Sequence, residues 1–245
     1  MNILVCISVV PDTTTKISFT ENDTKFNESG VQFIINPYDD LALTKALEIA
    51  EKNNGNVTAI HVGLASSEPS VRKALAIGAE SAVRINKQPS DAQEVATLVA
   101  AYAKDKNFDI IFTGRESIDY NSGQVCGLLG ALLNIPSINV ITQCSVEGGK
   151  ATLERDIDGG RETIVCSMPF VASAQKDLTE PRIPNMRGIM AARTKPLEII
   201  EPTAVDGFSK HNQYELPKPK AAVKMIPAES AGDLIKLLRE EAKII

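Results

Sequence analysis

Through the first two-thirds of the chain, short β-branched runs alternate with stretches in which apolar residues recur every three or four positions. Residues 3–8, 57–62, 81–85 and 109–113 read as strands. Asn36-Pro37 opens a helix carrying Leu41, Ala42, Leu43, Ala46, Leu47 and Ile49, with the proline in the first turn, where its missing amide costs nothing. Residues 70–77 predict a second helix, closed by Gly78. Residues 91–106 predict a third, with Val95, Leu98, Val99 and Tyr102 at helical spacing, and residues 123–133 a fourth, stopped by Asn134 and Pro136. Such alternation predicts an α/β domain in which a parallel sheet is flanked by crossover helices. Ligands in such sheets bind outside the carboxyl ends of the strands, which places residues 6–10, 36–39, 62–66 and 114–124 on one rim.

After Pro136 the texture changes. Residues 139–146, 151–157 and 162–167 read as strands separated by Gly148-Gly149 and Gly159-Gly160, the first pair suiting a hairpin turn. A Pro-, Arg- and polar-rich loop follows at 177–187, then a short helix from Gly188 in which Ile189 and Met190 read as packing residues. Residues 202–230 carry no apolar period, and an amphipathic stretch covers 231–244. The expected organisation is an α/β domain over 1–200 and a C-terminal extension over 201–245, an extended tail and terminal helix. A structureless run of that length inside a compact domain is unusual and suggests a segment laid along another protein, or else a mobile tail.

Composition narrows the function classes. Of 245 residues 43% are hydrophobic, enough for a sizeable core, but aromatics are 4% with no Trp, leaving no stacking platform for single-stranded nucleic acid. Lys and Arg number 26 against 31 Asp and Glu, and the net charge of −5 disfavours a polyanionic partner, so no nucleic acid is expected. Cys6, Cys126, Cys144 and Cys166 form no Cys-x-x-Cys pair, and the histidines are His61 and His211. No metal site is expected, and the thiols read as buried and inert. No apolar stretch reaches membrane-spanning length and no basic leader precedes the first strand, so no membrane span and a cytoplasmic location are expected.

The strongest local signal is the run from Thr113 to Gln124, where an apolar strand empties into a polar loop ahead of a helix. Asn121 or Ser122 suits an N-cap, and Gly123 permits close backbone approach. A helix start offers free N–H groups and partial positive charge, so the segment either holds a phosphate, with Ser122, Gln124 and loop amides converging, or is an ordinary capped turn. Asn36-Pro37-Tyr38-Asp39-Asp40 lies at another helix start on the same rim. There Pro37 holds Asn36 out of helical geometry, leaving its amide for a ribose, a backbone group or a simple cap. The charged run 154–162 reads as a solvated turn. Neither histidine has a partner at triad or metal spacing, and no Gly-x-Ser-x-Gly elbow occurs, so no catalytic residue is assigned.

Taken in order, these segments resemble the beta-subunit family of electron transfer flavoproteins, from residue 1 to about residue 200. The most specific matches are Glu154-Arg155-Asp156-Ile157-Asp158-Gly159-Gly160-Arg161-Glu162-Thr163 followed by Pro169, and Asn36 through Asp40. To these are added Gly114 through Asp119 with Ser122-Gly123-Gln124, and Glu180-Pro181-Arg182 with Ile189-Met190. The resemblance implies a Rossmann-like adenine-nucleotide fold, of the kind shared with universal stress proteins, paired with a larger alpha subunit. It implies a redox-active FAD held mainly by that alpha subunit, and AMP, or a second FAD in electron-bifurcating members, in this one. The nucleotide positions it carries over are Cys6; Asn36, Pro37, Tyr38 and Asp39 on the adenosine side; Val62; and Asp119, Tyr120, Asn121, Ser122, Gly123, Gln124, Val125, Cys126 and Gly127 around the phosphate. It makes the 177–193 loop a recognition arm for flavin dehydrogenases, such as the acyl-CoA dehydrogenases of fatty acid oxidation, through Glu180, Pro181, Arg182, Met186, Ile189 and Met190. Electrons then reach the alpha-bound FAD and a quinone oxidoreductase, and the chain is a carrier subunit without substrate turnover of its own. The arm departs from the family pattern at Met186, where Leu is common, and at Arg187-Gly188, where Pro-Asn or Pro-Gly is usual. Ala191-Ala192-Arg193 also replaces a basic run.

Two rivals fit less well. A stand-alone ATP- or AMP-binding sensor of the universal stress type needs a Gly-x-x-Gly phosphate loop followed by Gly-Ser/Thr, which the chain lacks. An adenylating enzyme of the PP-loop class needs Ser-Gly-Gly-x-Asp-Ser after the first strand, where Ser8-Val9-Val10-Pro11-Asp12 stands.

Overall fold

The computed structural model describes residues 1–220 and 222–245; the tail expected over 201–245 thus includes one position, Ala221, outside the described residues. In chain order the first elements are β1 (Asn2–Cys6), β2 (Val9–Pro11), β3 (Phe19–Thr20), β4 (Lys25–Phe26), β5 (Phe33–Ile35), α1 (Pro37–Lys52), β6 (Asn56–Val62), α2 (Glu68–Ile77) and β7 (Ser81–Ile85). There follow α3 (Ala92–Ala103), β8 (Ile110–Gly114), α4 (Val125–Leu133), β9 (Ser137–Glu147), β10 (Lys150–Ile157), β11 (Gly160–Ser167), β12 (Phe170–Ala174), α5 (Met186–Ala192), β13 (Leu197–Ile200) and α6 (Ala231–Glu240).

The described residues form a nine-stranded sheet in the order β11-β10-β9-β12-β8-β1-β6-β7-β13. Every pairing from β9 through β13 in that order is parallel, and β10 and β11 add an antiparallel meander at one edge. Parallel strands must be covered on both faces, and the side-chain alternation of β1 does this: Ile3, Val5 and Ile7 join the cluster containing α1 and α2, whereas Leu4 and Cys6 join that of α3 and α4. From β1 the chain steps outward through β6 to β7, then returns to β8 on the opposite side of β1. The strand order therefore reverses between β1 and β8, and an open α/β sheet has its ligand crevice outside the carboxyl ends at that point.

The fold is α/β with a mostly parallel sheet and flanking helices, as the alternation predicted. Two sheet members escape the pattern. β12, inserted between β8 and β9, reads Phe-Val-Ala-Ser-Ala and is buried throughout, so it shows no polar alternation. β13 is a four-residue edge strand beside β7. β9 bends at Val140, which has φ 58°, and its register slips against both β12 and β10; a bulged strand bends in this way. Gly148 and Gly149 have φ 55° and 78° and close the two-residue β9–β10 turn, which needs positive φ at both positions. The charges of 154–162 pair across the β10–β11 hairpin, with Arg155 Nε 2.6 Å from Glu162 and Arg161 near Glu154 and Asp156.

The chain divides into two compact units, Met1–Gln213 and Tyr214–Ile245. The first holds the whole sheet and both core clusters. The second contains α6, which buries none of its residues and exposes Leu234 and Ile235.

Candidate functional site

The reversal point is tied together by Asp39. Its Oδ2 accepts from the amide of Ser8, just past β1, at 2.6 Å, and its Oδ1 accepts from the amide of Gly114, the last residue of β8, at 2.8 Å. One carboxylate at the start of α1 therefore bridges the two strands that flank the crevice. Gly114 makes this possible: a Cβ there would lie 2.1 Å from Asp39 Oδ1 and 2.8 Å from Tyr38 Cβ. Asn36 extends the tie to the next loop. Its Nδ2 donates to Glu116 O at 2.8 Å, its Oδ1 accepts from the Ile118 amide at 3.4 Å, and its own amide donates to Ser8 O at 2.9 Å.

Asn36 is thus not a capping side chain; α1 has no side-chain cap bond. Of the roles open to its amide, holding a backbone group is the one observed. Asp39 likewise spends its acceptors across the crevice and not on the amides of its own helix.

Burial dominates the electrostatics. It pushes the Asp39 carboxyl up to about 7, against the pull of the donors at Ser8, Asn36 and Gly114, with Asp40 adding repulsion. The Cys6 thiol, at the end of β1, is pushed up by burial, then by Asp39 and Cys126; burial likewise raises Cys126 to about 12. Neither sulfur is poised as a thiolate nucleophile. His61, at the end of β6, is drawn down to about 4 by burial and Arg84, and its Nδ1 lies 2.9 Å from Ile7 O, so the neutral ring donates there and ties β6 to β1. Arg84, on β7, was not singled out from the sequence. It is buried, donates from Nη1 to Gly63 O at 2.9 Å and Asn86 Oδ1 at 2.7 Å, and leaves Nε without a hydrogen-bond partner. A single arginine inside a Val/Ile strand gives no sequence signal beyond a break in polarity.

The 119–127 segment follows the loop that Asn36 holds at Glu116 and Ile118. Its loop closes on itself through the Ser117 amide, which donates to Ser122 O at 3.2 Å, with Asn121 at φ 51°. The α4 helix begins at Val125 and not at Gly123, and its N-cap is Gln124 with no side-chain cap bond. Asn121 and Ser122 therefore lie too early to cap it. The first-turn amides of Val125, Cys126 and Gly127 have no intrahelical acceptor, and the space a Cβ of Gly127 would occupy has no heavy atom within 4 Å. Uncapped amides beside open space are what an anion needs at a helix start. Cys126 and Cys6 lie in the same buried apolar cluster, which packs the α4 start against the end of β1. Val62, at the end of β6, is buried on the same side of the sheet as Cys6. Pro37 and Tyr120 are exposed and Tyr38 half-buried along the rim. Among the described residues no cluster of His, Cys, Asp and Glu has metal-binding geometry, and no helix is long and apolar enough to cross a membrane.

The 177–193 arm projects elsewhere, from the face of α1 and α2. Arg182 makes a two-pronged pair with Glu51 at 2.6 and 2.8 Å, and its amide donates to Thr44 Oγ1 at 3.0 Å. α5 starts at Met186, capped by Asn185, which accepts from the Gly188 amide at 2.8 Å. Ile189 and Met190 are 41% and 57% exposed, so they are not the packing residues their helical position suggested. Met186 is 74% and Ile183 90% exposed. Gly188 lets α5 lie directly on α2, since a Cβ there would meet Ala76 O at 2.3 Å. Glu180 and Pro181 are exposed at the arm's base. A separate cleft of about 490 Å³ lies between Lys45, the loop at Asp177 and the β9–β11 meander, away from the reversal point.

The family description "Electron transfer flavoprotein domain" matches residues 23–205. The chain is 38% identical to a protein of Bacillus subtilis named "Electron transfer flavoprotein subunit beta", with both chains covered in full. It is 34% identical to a protein of the same name from Syntrophomonas wolfei, over all of this chain and 98% of the relative. The human protein so named is 30% identical, over all of this chain and 99% of its own length.

Proposed function

The chain belongs to the electron transfer flavoprotein family, and from that premise we propose that it is the small subunit of a heterodimeric electron carrier, burying an adenine nucleotide while an alpha-type partner holds the redox-active FAD. The observation that carries this reading is the Asp39 tie at the strand-order reversal, together with Asn36 holding the loop that leads to the uncapped start of α4. In this reading the adenosine lies against Cys6, Asn36, Pro37, Tyr38, Asp39 and Val62. The phosphate lies on Asp119, Tyr120, Asn121, Ser122, Gly123 and Gln124 and on the first-turn amides of Val125, Cys126 and Gly127. Buried donors fixed in place before binding cost no reorganisation, and the high thiol pKa values at Cys6 and Cys126 suit a wall rather than a reactive group.

The nucleotide, AMP or a second FAD, acts as a strut that orders the rim loops. A bound flavin supplies electron-accepting chemistry; this chain's residues bind, orient and exclude water, without substrate turnover of their own. Flavin dehydrogenases, acyl-CoA dehydrogenases among them, dock on the 177–193 arm through Met186, Ile189 and Met190, framed by Glu180, Pro181 and Arg182. Electrons leave to a quinone oxidoreductase, in the cytoplasm or at its membrane face. The terminal helix α6, with Leu234 and Ile235 outward, packs on the alpha-type subunit.

Co-expression with the alpha-type subunit, followed by flavin and AMP counts per heterodimer, tests this. One flavin with one AMP is expected for an ordinary carrier, and two flavins for a bifurcating one. A chain that purifies alone as a monodisperse species and takes up no alpha-type partner overturns the proposal.

A further inference from the structure

Residues 201–213, which the sequence presents as the start of a polar tail, are laid across the carboxyl-end rim. Leaving β13, the chain meets Asn86, whose amide donates to Ile200 O at 2.8 Å and whose side chain donates to Glu201 Oε1 at 3.1 Å. Lys87 Nζ then donates to Val205 O at 2.7 Å. At the start of α3, Asp91 divides its two oxygens. Oδ1 caps the helix by accepting from the Glu94 amide at 2.9 Å, and Oδ2 accepts from the amides of Phe208 and Ser209 at 2.7 and 2.8 Å and from Ser209 Oγ at 3.2 Å. Gly207 fits under this clamp only without a side chain, since a Cβ would lie 2.0 Å from Ser90 Oγ. The segment ends with the His211 ring 4.4 Å from that of Tyr120, at 31°. It therefore runs from the end of β7, past the start of α3, to the loop after β8.

We infer that residues 201–213 form the outer wall of the nucleotide site, with Asp91 positioning that wall and His211 sealing it against Tyr120 of the phosphate loop. The inference rests on the adenine-nucleotide reading of the crevice. The donors gathered on Asp91 Oδ2 are strong because the acceptor is ionised, and a ring pair closes the far end, so the wall is held at both ends of its span. Bound AMP leaves when the wall lifts.

The test uses the full heterodimer loaded with radiolabelled AMP or, in parallel, FAD, and measures release into excess unlabelled nucleotide. Asp91→Asn retains a side-chain oxygen to cap α3 but turns an NH2 group toward the Phe208 and Ser209 amides; His211→Ala removes the seal, and His211→Phe keeps a ring on Tyr120. Asp91→Asn and His211→Ala are expected to release nucleotide about tenfold faster, equivalent to ~1.4 kcal/mol, with the alpha-bound flavin unchanged. His211→Phe is expected to match the wild type, and the double variant Asp91→Asn/His211→Ala to release no faster than the quicker single one. Unchanged release from both Asp91→Asn and His211→Ala, with normal binding by the wild type, overturns the wall alone. A wild-type heterodimer that takes up neither nucleotide overturns the reading of the crevice and the wall with it.

Discussion

At the scale of single residues, Asp39 carries the most consequence. An acid whose folded pKa lies above its unfolded value binds its proton more tightly in the native state. With the carboxyl moved from 3.8 to about 7, stability is therefore expected to fall as pH rises through that interval. Urea unfolding of the heterodimer at steps across the interval should show this slope, and Asp39→Asn should flatten it. Asp39→Asn also turns an NH2 group toward the amide of Ser8 or Gly114, and an unsatisfied buried donor costs about 1–3 kcal/mol. The variant is thus expected to be less stable yet less pH-sensitive, and a variant that keeps the wild-type slope would remove Asp39 as its source. A carboxylate at a helix start suggests capping when only the sequence is visible. Its actual partners, 31 and 75 residues away, lie just past β1 and at the end of β8.

At the scale of elements, the arm is held by a reciprocal clasp. Lys195 Nζ donates to the carbonyls of Leu75, Gly78 and Ala79, at 3.0, 3.3 and 2.6 Å, around the end of α2. Arg72, on α2, donates through Nη1 to Ala192 O at 2.8 Å and Lys195 O at 3.2 Å, at the end of α5. Arg72 of α2 and Lys195, three residues past α5, thus each place a cation on carbonyls at and just beyond the other helix's end, an arrangement the helix dipole favours. Lys195→Met keeps the stem and removes the ammonium. Hydrogen bonds to a charged group contribute about 1.5–3 kcal/mol, so a drop in thermal midpoint of several degrees is expected. Amide exchange across 180–193 should quicken as well, although no exposed arm residue has changed. If the midpoint drops and exchange in the arm stays slow, the clasp is not what fixes it. The Arg182–Glu51 pair holds the arm's other end, and its two-pronged geometry is one that lysine cannot reproduce.

At the scale of the whole molecule, both core clusters and the entire sheet lie within Met1–Gln213, so a chain ended after Gln213 is expected to keep its far-ultraviolet signature and its main unfolding transition. Co-expressed with the alpha-type subunit, it should yield less heterodimer, because α6 and its apolar face are gone; undiminished yield would deny α6 that role. The α/β class, the four main helices and the central strands β1, β6, β7 and β8 were all legible, because local periodicity encodes them and nothing distant competes. β12 was not legible, since Phe-Val-Ala-Ser-Ala, buried on both faces, shows no alternation and only its first two residues favour a strand. The rim segments were legible as loops at strand ends, but the bonds among them were not: Asn36 to Glu116 and Asp39 to Gly114 join positions about 80 residues apart. By itself the sequence determined which segments become strands and helices and which of them reach the rim, because side-chain pattern acts over a few residues. Only the tertiary structure decided that β1 and β8 stand side by side, that Asp39 links their carboxyl ends, and that residues 201–213 return past the start of α3 to the loop after β8. Those outcomes depend on strand order, and strand order is a property of the packed sheet as a whole.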